Sequence, residues 1–248
     1  MAELIVALDT SDLKSALILV DRLRYRVHWF KIGLELFSAF GPKAVEAIRA
    51  RDCRIFLDLK YLDIPNTVQS ATRVAAGLGV DMLTVHLSGG RRMVQAALEG
   101  ARQGCPSSVD RPLVVGVTML TSLNREDVSW MIKPGQPAVP TPGELAFLLA
   151  EHGRKWGVDG VVCSAQEAAR IKSVCGPWVC VTPGIRIPAA PTSSTDPRAT
   201  GDDQSRTLAP GEAVAAGADY LVVGRPVTTA DNPVHAAENF LRAMAHQS

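Results

Sequence analysis

Short apolar runs alternate with amphipathic stretches along most of the chain. Leu4–Leu8 (LIVAL) is a continuous apolar run, and Ser11–Leu23 follows it with Leu13, Ala16, Leu17 and Val20 at helical spacing. His28–Ile32 predicts a second strand, and a helix from about Pro42 turns Val45, Ala47 and Ile48 inward. Arg54–Asp58 predicts a third strand; Pro65 then suits the first turn of a helix carrying Val68, Ala71, Ala75 and Leu78. Asp81–His86 precedes a helix over Arg91–Gln103, and Leu113–Val117 precedes a polar stretch and a helix over Gly143–Trp156. Gly160–Cys163, Trp178–Val181 and Tyr220–Val223 complete the strands. Helices are predicted over Gln166–Val174 and Pro233–Ala245, the last with Asp231 as its cap.

Eight apolar strands followed by crossover helices predict parallel βα units. A length of 248 residues then fits an α/β chain closed as a single-domain (β/α)8 TIM barrel, a fold of roughly 250 residues. An open doubly wound sheet would alternate in the same way. It usually carries a glycine fingerprint after its first strand, where this chain has Asp9-Thr10-Ser11-Asp12. One segment breaks the rhythm. Pro188–Gly211 is rich in Pro, Ser, Thr, Asp and Gly and has almost no apolar residue before Leu208. It predicts a lid, a binding loop or a disordered stretch after strand seven, on the face where a barrel carries its chemistry.

Composition narrows the partners. Apolar residues make up 47% and charged residues 21%, an ordinary globular balance, and the formal net charge of +1 supplies no basic field for DNA or an anionic membrane. No apolar stretch approaches the roughly 18 residues of a membrane span. Met1-Ala2-Glu3-Leu4 enters the first strand without a charged leader, so it does not read as a secretion signal. Cys53, Cys105, Cys163, Cys175 and Cys180 are odd in number and lack C-x-x-C spacing. They read as reduced core thiols of a cytoplasmic protein.

In a barrel, the C-terminal ends of the strands carry the chemistry. Read in order, they are Asp9, Lys31, Asp58 with Lys60, His86, Thr118, Ser164, Thr182-Pro183-Gly184 and Gly224-Arg225. Charge beside a core is costly unless it meets a partner or a ligand. Strand alternation puts Asp58 and Lys60 on one side, and with Lys31 and Asp63 they suggest alternating charges: Lys31, Asp58, Lys60, Asp63. Two flanking carboxylates would keep Lys60 an ammonium, a proton donor rather than a Schiff-base amine. A structural ion-pair network at the barrel mouth is the alternative. A second cluster, Thr182-Pro183-Gly184-Ile185-Arg186 with Val223-Gly224-Arg225, follows strands seven and eight, the recurrent phosphate site of such barrels. Glycine lets backbone N–H groups approach an anion and arginine supplies a bidentate fork, so a phosphorylated substrate is expected. His86 reads as a loop-positioning residue; no H-x-x-x-H pair, Walker A or G-x-G-x-x-G motif occurs, and no metal site is expected.

These residues carry a resemblance. Asp58-Leu59-Lys60-Tyr61-Leu62-Asp63-Ile64-Pro65-Asn66-Thr67 resembles the D-x-K-x-x-D-I-x-N-T signature of the orotidine 5′-phosphate decarboxylase family. Agreement continues in order through Ala7-Leu8-Asp9, Phe30-Lys31-Ile32-Gly33, Val85-His86, Leu120-Thr121-Ser122, Thr182–Arg186, Gly201-Asp202-Asp203-Gln204 and Val223-Gly224-Arg225. The chain is similar to the compact bacterial form. The resemblance implies decarboxylation of orotidine 5′-monophosphate to UMP in pyrimidine synthesis, without metal or organic cofactor. By that likeness Lys60 protonates C6, Asp58 sits against the departing carboxylate, Lys31 pairs with Asp58 and contacts the ribose, and Asp9 also binds the ribose. Thr121 and Pro183 would line the nucleotide pocket, while Arg186, Gln204, Gly224 and Arg225 would hold the base edge and phosphate. A homodimer with shared sites is implied, Asp63 and Thr67 reaching into the partner's site. Ile187 to Asp203 puts seventeen residues between Arg186 and Gln204, more than in the short bacterial forms. A related sugar-phosphate decarboxylase or aldolase would use Mg2+ and an acidic residue where Lys31 stands, and a lysine there repels the metal.

Overall fold

The structure, a computed structural model, describes residues 2–105, 111–129, 141–187 and 208–245. Eight parallel strands close into a barrel in sequence order. They are β1 (Glu3–Ala7), β2 (Trp29–Gly33), β3 (Arg54–Tyr61), β4 (Met82–His86), β5 (Leu113–Val117), β6 (Gly160–Val162), β7 (Val179–Thr182) and β8 (Tyr220–Val223). The ring shuts where β1 pairs with β8, Ile5 lying opposite Val222. The (β/α)8 expectation holds.

The helices begin where local chemistry starts them. Asp12 accepts from the N–H groups of Lys14 and Ser15 and opens α1 (Leu13–Leu23), after the expected Ser11. Proline at the first turn opens α3 (Pro42–Arg49), following a short α2 (Leu34–Phe40), and α4 (Pro65–Gly77). Next come α5 (Gly90–Gly104), α6 (Arg125–Ser129), and α7 (Pro142–Trp156), which starts from a Thr141/Glu144 capping box. The last four are α8 (Ala165–Cys175), α9 (Pro210–Ala215), α10 (Arg225–Thr228) and α11 (Pro233–Ala245).

Three expectations are corrected. The cap of α11 is Asn232, whose Oδ1 accepts from the His235 N–H at 3.2 Å, in place of Asp231. The polar segment that was to run to Gly211 ends earlier, because Pro210 already starts α9 and Leu208 bridges to Ile185; residues 188–207 lie outside the described residues. Strand β3 continues to Tyr61, three residues past Asp58. The short helices α2, α6, α9 and α10, at most seven residues each, are too brief for a 3.6-residue apolar period to register in the sequence.

Alternation along the strands divides the core. One cluster, with Val6, Phe30, Leu57 and Leu83, packs between barrel and helices. A smaller one fills the barrel itself with Ile5, Ala7, Trp29, Phe56, Met82 and Val115, together with Val181 and Val222. The next inward positions along the same strands are polar at one side: Lys31 after Trp29, Asp58 after Phe56, Thr84 after Met82. The functional mouth is thus the continuation of the barrel core by one more layer. No helix among the described residues is long and apolar enough to cross a membrane.

Candidate active site

A cavity of about 570 Å3 opens at the C-terminal ends of the strands, within the size range of small-molecule sites. Asp9, Lys31, Asp58, Lys60, Thr121, Pro183, Arg186, Gly224 and Arg225 all line it, as the sequence reading expects of a single site. A second concavity, of about 670 Å3, lies at the opposite mouth beside Trp29 and Tyr220. Its charges are already committed: Arg111 forms a bidentate pair with Asp159, and Arg54 lies over the Trp29 ring. The chemistry therefore belongs to the first.

Asp58 is the centre of the charged layer. Its side chain is 11% exposed, and Lys60 Nζ donates to Oδ2 at 2.8 Å while Lys31 Nζ stands 3.7 Å from the same oxygen. Lys31 also donates to Asp9 Oδ1 at 2.9 Å. Burial opposes ionisation of Asp58 and is the largest single influence. The Lys31 and Lys60 ammoniums, with hydrogen bonds from Lys60 and Thr84, outweigh it and hold the carboxyl below its ordinary range. Burial, and then the Lys60 ammonium, lower His86 at the end of β4, with Asp58 partly opposing them.

Within one chain the array unites Lys31, Asp58 and Lys60 of the four expected charges, and Asp9 extends it beyond Lys31. Asp63 is exposed, and its Oδ1 accepts from the Ile64 N–H at 2.6 Å. It forms no ion pair among the described residues, so the order within this chain is Asp9, Lys31, Asp58, Lys60. Thr67, in the first turn of α4, is exposed as well, and neither residue lines the cavity. Gln204 lies outside the described residues.

Lys60 reaches Asp58 by a route that regular alternation does not supply. The pairing of β3 with β4 shifts register between Leu57 and Tyr61, and Lys60 has φ 50°, in the left-handed region. Its backbone N–H donates to Thr84 Oγ1 at 2.8 Å, and that hydroxyl stands 3.1 Å from Asp58 Oδ1. Thr84 was missed in the sequence; its signal was a lone hydroxyl in the apolar run Met82–Val85, on the inward side with Met82 and His86. Gly33 was also missed as a site residue in its own right. A Cβ there would lie 2.8 Å from Lys31 Nζ and 3.1 Å from Asp9 Oδ1, so only glycine leaves room for that pair.

The opposite wall is built by the loops after β7 and β8. Gly184 has φ 78°, which turns the chain sharply after Pro183. Arg186 then donates its backbone N–H to the Leu208 carbonyl at 3.1 Å, which ties this loop to the approach to α9. Arg225 follows Gly224 directly at the end of β8. Thr118, Ser164 and Thr182 are buried and do not line the cavity, the inward positions on their strands being Val117, Val162 and Val181. The site therefore joins a Lys–Asp–Lys array on β2 and β3 to two arginines across the mouth. That suits an anionic, phosphate-bearing ligand whose reacting atom meets an ammonium. Among the described residues no group of three or more His, Cys, Asp or Glu side chains is arranged to hold a metal ion.

Known proteins share this architecture and sequence. A protein of Nitratidesulfovibrio vulgaris named orotidine 5′-phosphate decarboxylase is 46% identical over 247 residues, 99% of this chain and 98% of its own. Another of that name from Nostoc sp. is 43% identical over 234 residues, 93% of this chain and 92% of its own. The crystal structure of orotidine 5′-phosphate decarboxylase from Lactobacillus acidophilus superposes with a TM-score of 0.82 at 30% identity, covering 99% of this chain and 100% of that one. The model of the orotidine 5′-phosphate decarboxylase / HUMPS family matches residues 2–240, which takes in the whole charged layer and both arginines. Barrel architecture and overall sequence agree over nearly the whole chain, and the chain belongs to that family.

Proposed function

We propose that this chain decarboxylates orotidine 5′-monophosphate to UMP and CO2 in pyrimidine synthesis, a cytoplasmic task. The observation that carries the reading is the Lys60 ammonium, fixed 2.8 Å from the buried Asp58 carboxylate in a cavity whose far wall holds Arg186 and Arg225. The substrate phosphate lies toward Arg186, Gly224 and Arg225, the ribose toward Asp9 and Lys31, and the pyrimidine between Thr121 and Pro183. Its carboxylate is then held close to Asp58. The bond from C6 to the carboxylate breaks, the electron pair stays on C6 as CO2 leaves, and Lys60 delivers a proton from Nζ to that carbon. The ammonium stabilises the developing charge before it donates, and it is held in place by Asp58 before the substrate arrives. Because the charge is met by an ammonium, the route calls for neither metal nor organic cofactor.

The working unit in this reading is a homodimer, each single-barrel chain lending Asp63 and Thr67 to its partner's site. Exposed Leu62 and Ile64 on either side of Asp63 support an interface there, since large apolar side chains at 56% and 68% exposure lose unfavourable hydration when covered. The test is turnover of orotidine monophosphate in EDTA, followed by loss of the orotate chromophore. Sustained turnover is expected. Complete sensitivity to the chelator would favour a metal-dependent sugar-phosphate decarboxylase or aldolase, and no turnover under either condition would overturn the reading.

A further inference from the structure

We infer that Thr84 is a positioning residue for this site, a single hydroxyl that locks the backbone of Lys60 to the carboxylate of Asp58. The inference rests on the decarboxylase reading for its consequence in turnover, while the geometry stands by itself.

Thr84 is fully buried on β4. Its Oγ1 has two polar neighbours: the Lys60 N–H at 2.8 Å and Asp58 Oδ1 at 3.1 Å. Their chemistry leaves one arrangement. An amide N–H only donates, so the hydroxyl accepts from Lys60; an ionised carboxylate only accepts, so the hydroxyl proton goes to Asp58. Each partner needs the contact for a separate reason. The register shift between Leu57 and Tyr61 takes Lys60 out of the regular β3–β4 ladder, and Thr84 supplies the acceptor that its N–H would otherwise lack. Lys60 also holds φ 50°, which a residue with a side chain rarely adopts unless its surroundings fix it. On the other side, Asp58 Oδ1 gains a donor, which sets the carboxylate plane so that Oδ2 faces Lys60 Nζ at 2.8 Å and Lys31 Nζ at 3.7 Å. One hydroxyl therefore fixes both ends of the Lys60–Asp58 pair, through the main chain at one end and the side chain at the other.

Thr84→Val keeps the shape and removes the hydroxyl. With nucleotide bound, kcat is expected to fall about 10- to 100-fold, the equivalent of losing one hydrogen bond to a charged group, while KM changes less than about threefold. Thr84→Ser restores the hydroxyl and should recover most of kcat. Thr84→Cys, a poor donor of similar size, gives the same contrast with Ser if the valine variant does not fold. The second readout does not need turnover: a carbon-13 NMR titration of the Asp58 carboxyl in the folded protein. The charged and titratable groups facing Asp58 are Lys31 on β2, Lys60 on β3 and His86 at the end of β4, with Asp9 behind Lys31. All remain in the variants, so the carboxyl is expected to titrate at higher pH in Val or Cys than in wild type or Ser, and the acid limb of kcat/KM should move with it. Unchanged kcat and an unmoved carboxyl titration in Val and Cys would overturn the role of Thr84. If wild type fails to turn over orotidine monophosphate, the functional reading falls, and the carboxyl titration still decides for or against Thr84.

Discussion

Replacing Asp58 by asparagine isolates the electrostatics of the site, because the amide keeps the shape and opens no cavity. In the native chain the carboxylate stands 2.8 Å from one ammonium and 3.7 Å from another. At an effective dielectric of about 20 these attractions are worth about 6 and about 4.5 kcal/mol before desolvation. Removing the carboxylate from water opposes them by several kcal/mol, and in the variant the two partly buried ammoniums lose the charge that separates them. The expected net loss for Asp58→Asn is about 3–5 kcal/mol at pH 7. Urea unfolding measures it. Asp9→Asn serves as the internal control: its carboxylate is 56% exposed, so its pair with Lys31 should contribute less than about 1 kcal/mol. The pH dependence follows from the lowered carboxyl of Asp58. Its stabilisation is complete above the unfolded carboxyl value of about 3.9 and disappears as pH falls through the lower folded value. The gap between wild type and Asp58→Asn should therefore be constant near neutrality and close in strong acid. A gap under about 1 kcal/mol at pH 7, or one that does not narrow on acidification, would refute the view of Asp58 as the charge that holds the two lysines together.

The site makes two further demands. Lys60→Ala should still bind UMP in calorimetry and lose at least about 1000-fold in kcat; mixed with the equally inactive Asp63→Ala, it should recover up to about a quarter of wild-type activity, since half of randomly formed dimers are hybrids with one intact site of two. No recovery despite subunit exchange shown by mass spectrometry would exclude a shared site. Gly33→Ala should fold normally, because its backbone φ of −93° suits alanine. Its Cβ would displace Lys31 Nζ, and kcat/KM for orotidine monophosphate should drop about 10- to 100-fold; unaltered kinetics would mean that the Lys31–Asp9 contact is dispensable.

Much of this was legible in the chain. Each strand was visible as a run of four to six mainly apolar residues, because a parallel barrel buries its strands on both faces. Lys31, Asp58 and Lys60 stood out because charge at the end of such a run has no structural use unless it meets a partner. Asn232 and Asp231 are a different case. Both are good caps by residue type, and which one meets the His235 N–H depends on where the backbone leaves β8 and α10.

By itself, the sequence determined the number and order of the strands, the closure they favour and the positions at which charge would gather. Those follow from local periodicity and from the cost of burying a charge, which any reader of the chain can apply. Only the tertiary structure decided which charges touch. Asp9 joins the array beyond Lys31, and Lys60 turns into a left-handed conformation where β3 breaks register. Thr84, on another strand, holds that turn. The reason is physical: a hydrogen bond between residues 24 or 26 positions apart leaves no trace in local pattern, and it forms only when barrel closure brings β3 beside β4.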